Sequence, residues 1–247
     1  MTNELEQLLQ GITHHPALNN AFYREWMSRS MSIEELELFA RNYGAWVRSF
    51  PDALAILIVS TDDLNAKGEY VKTLYSEMGY GNTSKAHSVL LDEFFKELSH
   101  KLGEDSRLDR ERLETEVEML PTTQDLIEGE RELYQDALKS VGAQLALEWQ
   151  AYTMLRQLYD GARNYLPLWL NPDEFHEACE YFYTHIGAAE KDHKRESLNA
   201  VKQYAVDEHS RARIIEGYNR HLELISNFWE GLHNATASLA TKSGAAA

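Results

Sequence analysis

Apolar residues recur along this chain at three- and four-residue intervals over most of its length, and no segment shows the period of two that marks a half-buried strand. Glu4 to Leu9 reads as a short leading helix, broken by Gly11-Ile-Thr-His-His-Pro16. Pro16 suits the first position of the next helix, where Ala17, Phe22 and Trp26 begin a buried face. Ser32-Ile-Glu-Glu35 is a capping box, with an acid three residues after the serine. It launches a helix whose Leu36, Phe39, Ala40, Tyr43, Trp46, Val47 and Phe50 keep helical spacing. Pro51 marks a kink or a new start. Ala53 to Val59 is apolar on nearly every side and reads as a central, buried helix segment.

The pattern continues in the same period. Lys67 to Met78 places Val71, Leu74, Tyr75 and Met78 on one side, and Gly79-Tyr-Gly-Asn-Thr-Ser84 interrupts it. Ser84 can cap a helix from Lys85 to about Leu102 that buries Val89, Leu90, Phe94 and Leu98. Gly103 to Pro121 is charged and weakly patterned, a peripheral helix or loop. A long helix from about Thr123 to Tyr165, broken near Gly142, carries Leu145, Trp149, Tyr152, Leu155 and Leu158. Asn171 caps another, with Pro172 at its first position, running to about Ala205. The last, from about Glu208 to His233, buries Ile214, Tyr218, Leu222, Ile225 and Trp229. The expectation is one all-α domain over residues 1–240, a bundle of about seven or eight helices, with a disordered low-complexity tail at 241–247.

Composition narrows the function. The net charge of -16 argues against nucleic acid and anionic membranes, which both require a basic face. The single cysteine, Cys179, excludes an internal disulfide and fits a reducing compartment. No apolar run is long enough for a signal peptide or a membrane span. The expected setting is cytoplasmic.

Chemistry concentrates in Tyr181-Phe-Tyr-Thr-His185-Ile-Gly-Ala-Ala-Glu190-Lys-Asp192-His193. On a helix turning about 100° per residue, His185 and Asp192 point nearly the same way, and Glu190 neighbours His193. Imidazole with carboxylate suits iron, manganese or zinc, whereas the plain alternative is a solvated polar face. Two other helices add to the set. Glu77 closes one, His87 opens the next across the glycine turn, and Glu148 sits in the apolar run Ala143-Gln-Leu-Ala-Leu-Glu-Trp149. An unpartnered buried carboxylate costs several kcal/mol or more, which a metal would offset. His14, His15, His100, His176, His209, His221 and His233 read as surface or capping residues, and Cys179 as core packing.

These residues, taken in order, resemble the haem-oxygenase-like diiron oxidase/oxygenase family over about His14 to His233. The likeness rests on His15-Pro with Trp26, Ser32-x-Glu-Glu-Leu36, Asn42-Tyr43 before Phe50-Pro51, Glu77-Met-Gly-Tyr-Gly with His87 and Leu91, Leu147-Glu148, and the His185 to His193 segment. The resemblance implies a haem-oxygenase-like fold and a metal set of Glu77, His87, Glu148, His185 and His193 with one further acid. The family places that acid four residues after the first histidine and the second histidine seven after it. Here position 189 is Ala and the second histidine is eight on. A one-residue bulge near Gly187 would bring in Glu190 with His193, and a regular helix would bring in Asp192 instead.

The resemblance further implies two ferrous ions, with manganese as an alternative, and O2 as co-substrate. A bridged peroxide would oxidise a small carboxylate or amine metabolite, amino-acid-derived by preference. A homodimer is compatible with such a chain. Two other readings stand beside this one: a metal-independent enzyme on the same scaffold, either a cofactorless oxidase or a thiaminase-type hydrolase using Cys179, and an interaction module with a vestigial metal site.

Overall fold

The computed structural model describes residue 7, residues 9–184 and residues 189–244, with side chains through 9–184 and 197–239. Its α-helices are α1 (Ala21–Ser28), α2 (Ile33–Ser60), α3 (Leu64–Glu77), α4 (His87–Lys101), α5 (Arg110–Glu116), α6 (Pro121–Gln135), α7 (Lys139–Ala162), α8 (Pro172–Ala178), α9 (Glu180–Thr184), α10 (Ala189–Tyr204) and α11 (Glu208–Gly244). With a further helical turn at 9–11, the described residues hold about a dozen helices and no strand. The all-α expectation holds. The count of seven or eight does not, because capped breaks divide several of the long helices read from periodicity.

The long α11 lies along α7 and α6, α2 packs on α6, and α1 and α10 pack on α7. Glycine sets how closely α7 and α11 approach. A Cβ on Gly142 would stand 1.8 Å from the Ile214 carbonyl oxygen, so no other residue fits there without moving a helix. Gly142 therefore marks a crossing rather than the expected break. The break falls at Asp136, whose Oδ1 accepts from the N–H groups of Leu138 and Lys139 at 3.1 and 2.9 Å. One side chain thus caps the start of α7, leaving no continuous helix from 123 to 165.

The capping box at Ser32 forms as read: Ser32 Oγ accepts from Glu35 N–H at 3.3 Å, and Glu35 Oε2 accepts from Ser32 N–H at 2.7 Å. Asn171 and Pro172 start α8 as expected. Pro16 does not open a helix. Asn20 caps α1 through the Tyr23 N–H, and Pro16 lies in the preceding turn. Ala86, not Ser84, stands at the cap position of α4. The helix expected to run from Asn171 to Ala205 divides at Cys179, whose N–H is shared between the carbonyls of Phe175 and His176.

The core is strongly aromatic. Phe22 stacks on Trp229 at 5.1 Å and Tyr23 meets Trp229 at 4.6 Å, joining α1 to α11. Trp26 donates its indole N–H to the Leu158 carbonyl at 2.8 Å, fixing α1 on α7. Truncating a buried aromatic of this kind costs about 3–5 kcal/mol. The segment 53–59 is less buried than its composition suggests, with Val59 80% exposed. Val71, Tyr75, Met78 and Val89 are likewise exposed, and α3 instead buries Ala66 and Tyr70. Among the described residues no helix is long and apolar enough to cross a membrane.

Candidate metal centre

The turn between α3 and α4 brings the first two candidates together. Gly79, Tyr80 and Gly81 all have positive φ (67°, 54° and 87°), a conformation that non-glycine residues adopt at a cost of about 1–2 kcal/mol. A Cβ on Gly79 would lie 2.5 Å from the backbone of Lys85, so the chain doubles back tightly on itself. The last residue of α3 then faces the first of α4: His87 Nδ1 lies 2.9 Å from Glu77 Oε2. Both side chains are largely buried, at 6% and 12% exposed.

Glu148 reaches the same place from α7. It lines, with Glu77 and His87, a cavity of about 120 Å³ whose other walls include Tyr43, Trp46, Phe50, Leu147, Met154 and Tyr181. Glu148 is 7% exposed, and its Oε1 accepts from Gln144 Nε2–H at 2.7 Å. A second, more polar cavity of about 200 Å³ also borders Glu148, lined by Asn65, Glu69, Tyr70, Thr73, Ser197 and Gln203 among others. Thr73 and Glu148 border both spaces. Among the described residues no lysine or arginine lines either one.

Tyr43 and Tyr181 share a hydrogen bond of 2.7 Å at the apolar wall. Burial raises the pKa of both well above that of an ordinary phenol, and the nearby Glu77 carboxylate raises them further. They remain protonated and present hydroxyls to the cavity. Sequence reading placed Tyr43 in the core and did not single out this pair.

Three of the expected ligands are thus brought to one cavity. Among the described residues no three His, Cys, Asp or Glu side chains come close enough to hold one ion by themselves. His185 and the expected bulge at Gly187 lie outside the described residues. Glu190, Asp192 and His193 belong to α10, which packs on the helix that carries Glu148, and their side chains lie outside the described residues. Two carboxylates and an imidazole converging from three helices on a largely buried space form a donor set that fits iron or manganese.

Most remaining histidines lie as expected. His100 is exposed beside Asp105, His176 stacks on Tyr183, and His15 Nδ1 accepts from Ala17 N–H. His221 is a correction: it is 0% exposed, and its Nδ1 lies 3.9 Å from Glu130 Oε1, which is also fully buried. Cys179 is fully buried, and burial and then Glu97 push its thiol well above the usual range. That is the reverse of what a nucleophilic thiolate needs.

Residues 37–226, which span all the candidate ligands, match the profile of the family described as iron-containing redox enzyme. A 4-chloro-allylglycine synthase of Streptantibioticus cattleyicolor is 25% identical over 231 residues, covering 92% of this chain and 82% of the relative. A 4-aminobenzoate synthase of Chlamydia pneumoniae is 27% identical over 77 residues, 31% of this chain and 34% of its own. Among solved structures, a CadD-like protein of Nostoc punctiforme superposes with a TM-score of 0.73 at 14% identity, covering 95% of this chain and 97% of its own. A haem-oxygenase-like domain of Shewanella denitrificans gives 0.69 at 14% identity, with 96% and 94% covered. A TenA homologue of Pseudomonas syringae gives 0.72 at 10%, with 93% and 92% covered. The structural likenesses establish a haem-oxygenase-like fold. The match over residues 37–226 establishes the rest: this chain belongs to the family of iron-containing redox enzymes.

Proposed function

We infer that the chain is an O2-dependent oxidase or oxygenase holding two non-haem iron ions, and that it acts on a small amino-acid-derived amine or carboxylate. The observation that carries this reading is the convergence of Glu77, His87 and Glu148, from three helices, on one cavity in a member of an iron-containing redox family. The names of two relatives, a 4-chloro-allylglycine synthase and a 4-aminobenzoate synthase, support the choice of substrate class.

Glu77, His87 and Glu148 would hold the metal together with His185, His193 and Glu190, with Asp192 as the alternative acid. When bound, ferrous iron supplies the electrons that reduce O2. The carboxylates offset the metal charge in a poorly hydrated space, where that charge would otherwise be costly. Tyr43 and Tyr181 hold their protons at the hydroxyl oxygens and can orient a polar group of the substrate. Trp46, Phe50, Leu147, Met154 and Leu155 shape the apolar side of the cavity and limit the entry of water.

Anaerobic titration with ferrous ion should show close to two metals per chain. O2 consumption by the loaded protein should then depend on one member of a panel of amino acids and their amines and carboxylates. Absence of tight ferrous binding would remove the reading. Binding without substrate-dependent O2 consumption would remove the oxidase half.

A further inference from the structure

Glu148 is not left to orient itself. Tyr134, fully buried in the last turn of α6, donates its hydroxyl to Gln144 Oε1 at 2.8 Å. Gln144, one turn before Glu148 on the same face of α7 and 3% exposed, donates Nε2–H to Glu148 Oε1 at 2.7 Å. The chain of bonds has a fixed polarity. Burial, and then the nearby Glu130 and Glu148, raise the Tyr134 pKa far above that of an ordinary phenol, so its hydroxyl keeps its proton and can donate. Turning the Gln144 amide over would set its carbonyl oxygen against the Glu148 carboxylate, two acceptors facing each other in a buried space.

We propose that Gln144 and Tyr134 are positioning residues for the metal centre: a two-bond relay that engages Oε1 of Glu148 and fixes the orientation of its carboxylate. The proposal rests on Glu148 being a ligand, and adds to that reading two residues on which sequence reasoning placed no function. The relay fixes the carboxylate before any ion arrives, so less rotational freedom is lost when one binds. Partners of this kind behind a ligand typically change metal affinity by about 10–100-fold when removed.

The test uses ferrous titration under anaerobic conditions, together with the electronic absorption of the cobalt(II)-loaded protein, which reports the number and arrangement of ligands without requiring turnover. The wild type, Glu148→Ala, Gln144→Leu, Tyr134→Phe and the Gln144→Leu/Tyr134→Phe double variant are compared, with thermal unfolding as the check on folding. Expected are loss of one metal position in Glu148→Ala, an affinity lower by about 10–100-fold with an altered cobalt spectrum in Gln144→Leu, and a loss of about 2–12-fold in Tyr134→Phe, the worth of one neutral hydrogen bond. The double variant should bind as Gln144→Leu does, because the Tyr134 hydroxyl acts only through the amide.

If Glu148→Ala loses metal while Gln144→Leu and Tyr134→Phe keep wild-type affinity and spectrum, the relay is overturned and the site stands. Unaltered uptake in Glu148→Ala removes Glu148 from the site, and the relay with it. Should Gln144→Leu fail to fold, Tyr134→Phe decides alone: wild-type affinity and spectrum overturn the relay, and the stated loss with an altered spectrum supports it.

Discussion

Glu77, His87 and Glu148 face a cavity, whereas Glu130 and His221, on α6 and α11, face each other across 3.9 Å in the packed core. Both sets combine acids with imidazole, and both are deeply buried. Their surroundings differ. In the cavity set, Glu77 lies 2.9 Å from His87 and Glu148 accepts from Gln144. In the core set, both Glu130 oxygens and both His221 ring nitrogens lack a hydrogen-bond partner among the described residues. Burial responds by removing charge. It pushes the Glu130 pKa up to about 8, against a smaller pull from the neighbouring Trp46 N–H, and pushes that of His221 down to about 3. At pH 7 both are neutral, so their contact is not an ion pair. A buried acid next to a histidine is thus weak evidence for a metal site; the acid needs room beside it and partners that fix its orientation.

The largest effect expected from this contrast is at Glu148. Glu148→Leu should abolish binding at one metal position, and it should lower the stability of the metal-free protein by only about 1–3 kcal/mol, because the buried Gln144 Nε2–H loses its acceptor. Ferrous titration and chemical unfolding of the metal-free protein measure the two halves. Intact metal binding combined with a larger loss of stability would mean that Glu148 is structural, like the core set.

The next effect is at Glu130, and its sign follows from proton binding. Above about pH 4.5 the unfolded chain releases the Glu130 proton, while the folded chain keeps it until about pH 8. The folded state therefore binds more protons in that window, and stability is lost as pH rises through it. Glu130→Gln, neutral at every pH, should remove this loss and raise stability by roughly 2–3 kcal/mol at pH 7, with ferrous binding unchanged. Urea unfolding at pH 5, 7 and 8.5 gives the slopes. The same slope in both proteins would show that Glu130 ionises normally.

His221 should act at the other end of the scale. The unfolded chain takes up its proton below about pH 6.5, and the folded chain resists until about pH 3, so stability is lost as pH falls through this range. His221→Phe should flatten the loss, gaining roughly 1–2 kcal/mol at pH 5 and little at pH 7. The same titrations, extended downward in pH, decide it.

How much of this was legible in the sequence depends on what each residue type records locally. The capping box at Ser32 and the helix start at Asn171 were readable because a cap is fixed within four residues. Glu148 was readable because a lone carboxylate in an apolar run is conspicuous. The positions of the breaks were not, since Asp136 caps α7 through a geometry that periodicity does not encode, and Gly142 signals a helix crossing as readily as a break. Glu130 could have been found: it lies four residues after Leu126 and three before Leu133, on the buried face of α6. So could His221, which lies three residues after Tyr218 and four before Ile225, on the buried face of α11. The Tyr134–Gln144–Glu148 relay needed the fold, since only the turn at 136–138 returns α6 alongside α7.

The smallest effect should come from the residue that touches both regions. Trp46 lines the cavity with its ring, and its indole N–H lies beside the Glu130 carboxyl without a well-aligned hydrogen bond. That N–H favours the charged carboxylate and holds the Glu130 pKa down. Trp46→Phe keeps an aromatic wall but removes the donor, so the pKa should rise further and the loss of stability should extend to higher pH. A neutral hydrogen bond bounds the change at about 0.5–1.5 kcal/mol, and imperfect alignment places it near the lower end. Ferrous affinity should not change, because no candidate ligand loses a partner. Unfolding of Trp46→Phe at pH 7 and 9, compared with the Trp46→Phe/Glu130→Gln double variant, isolates the effect, which should vanish once Glu130 cannot ionise. An equal loss of stability in both backgrounds would assign it to packing, and a loss of metal binding would show that the two regions are coupled through this ring.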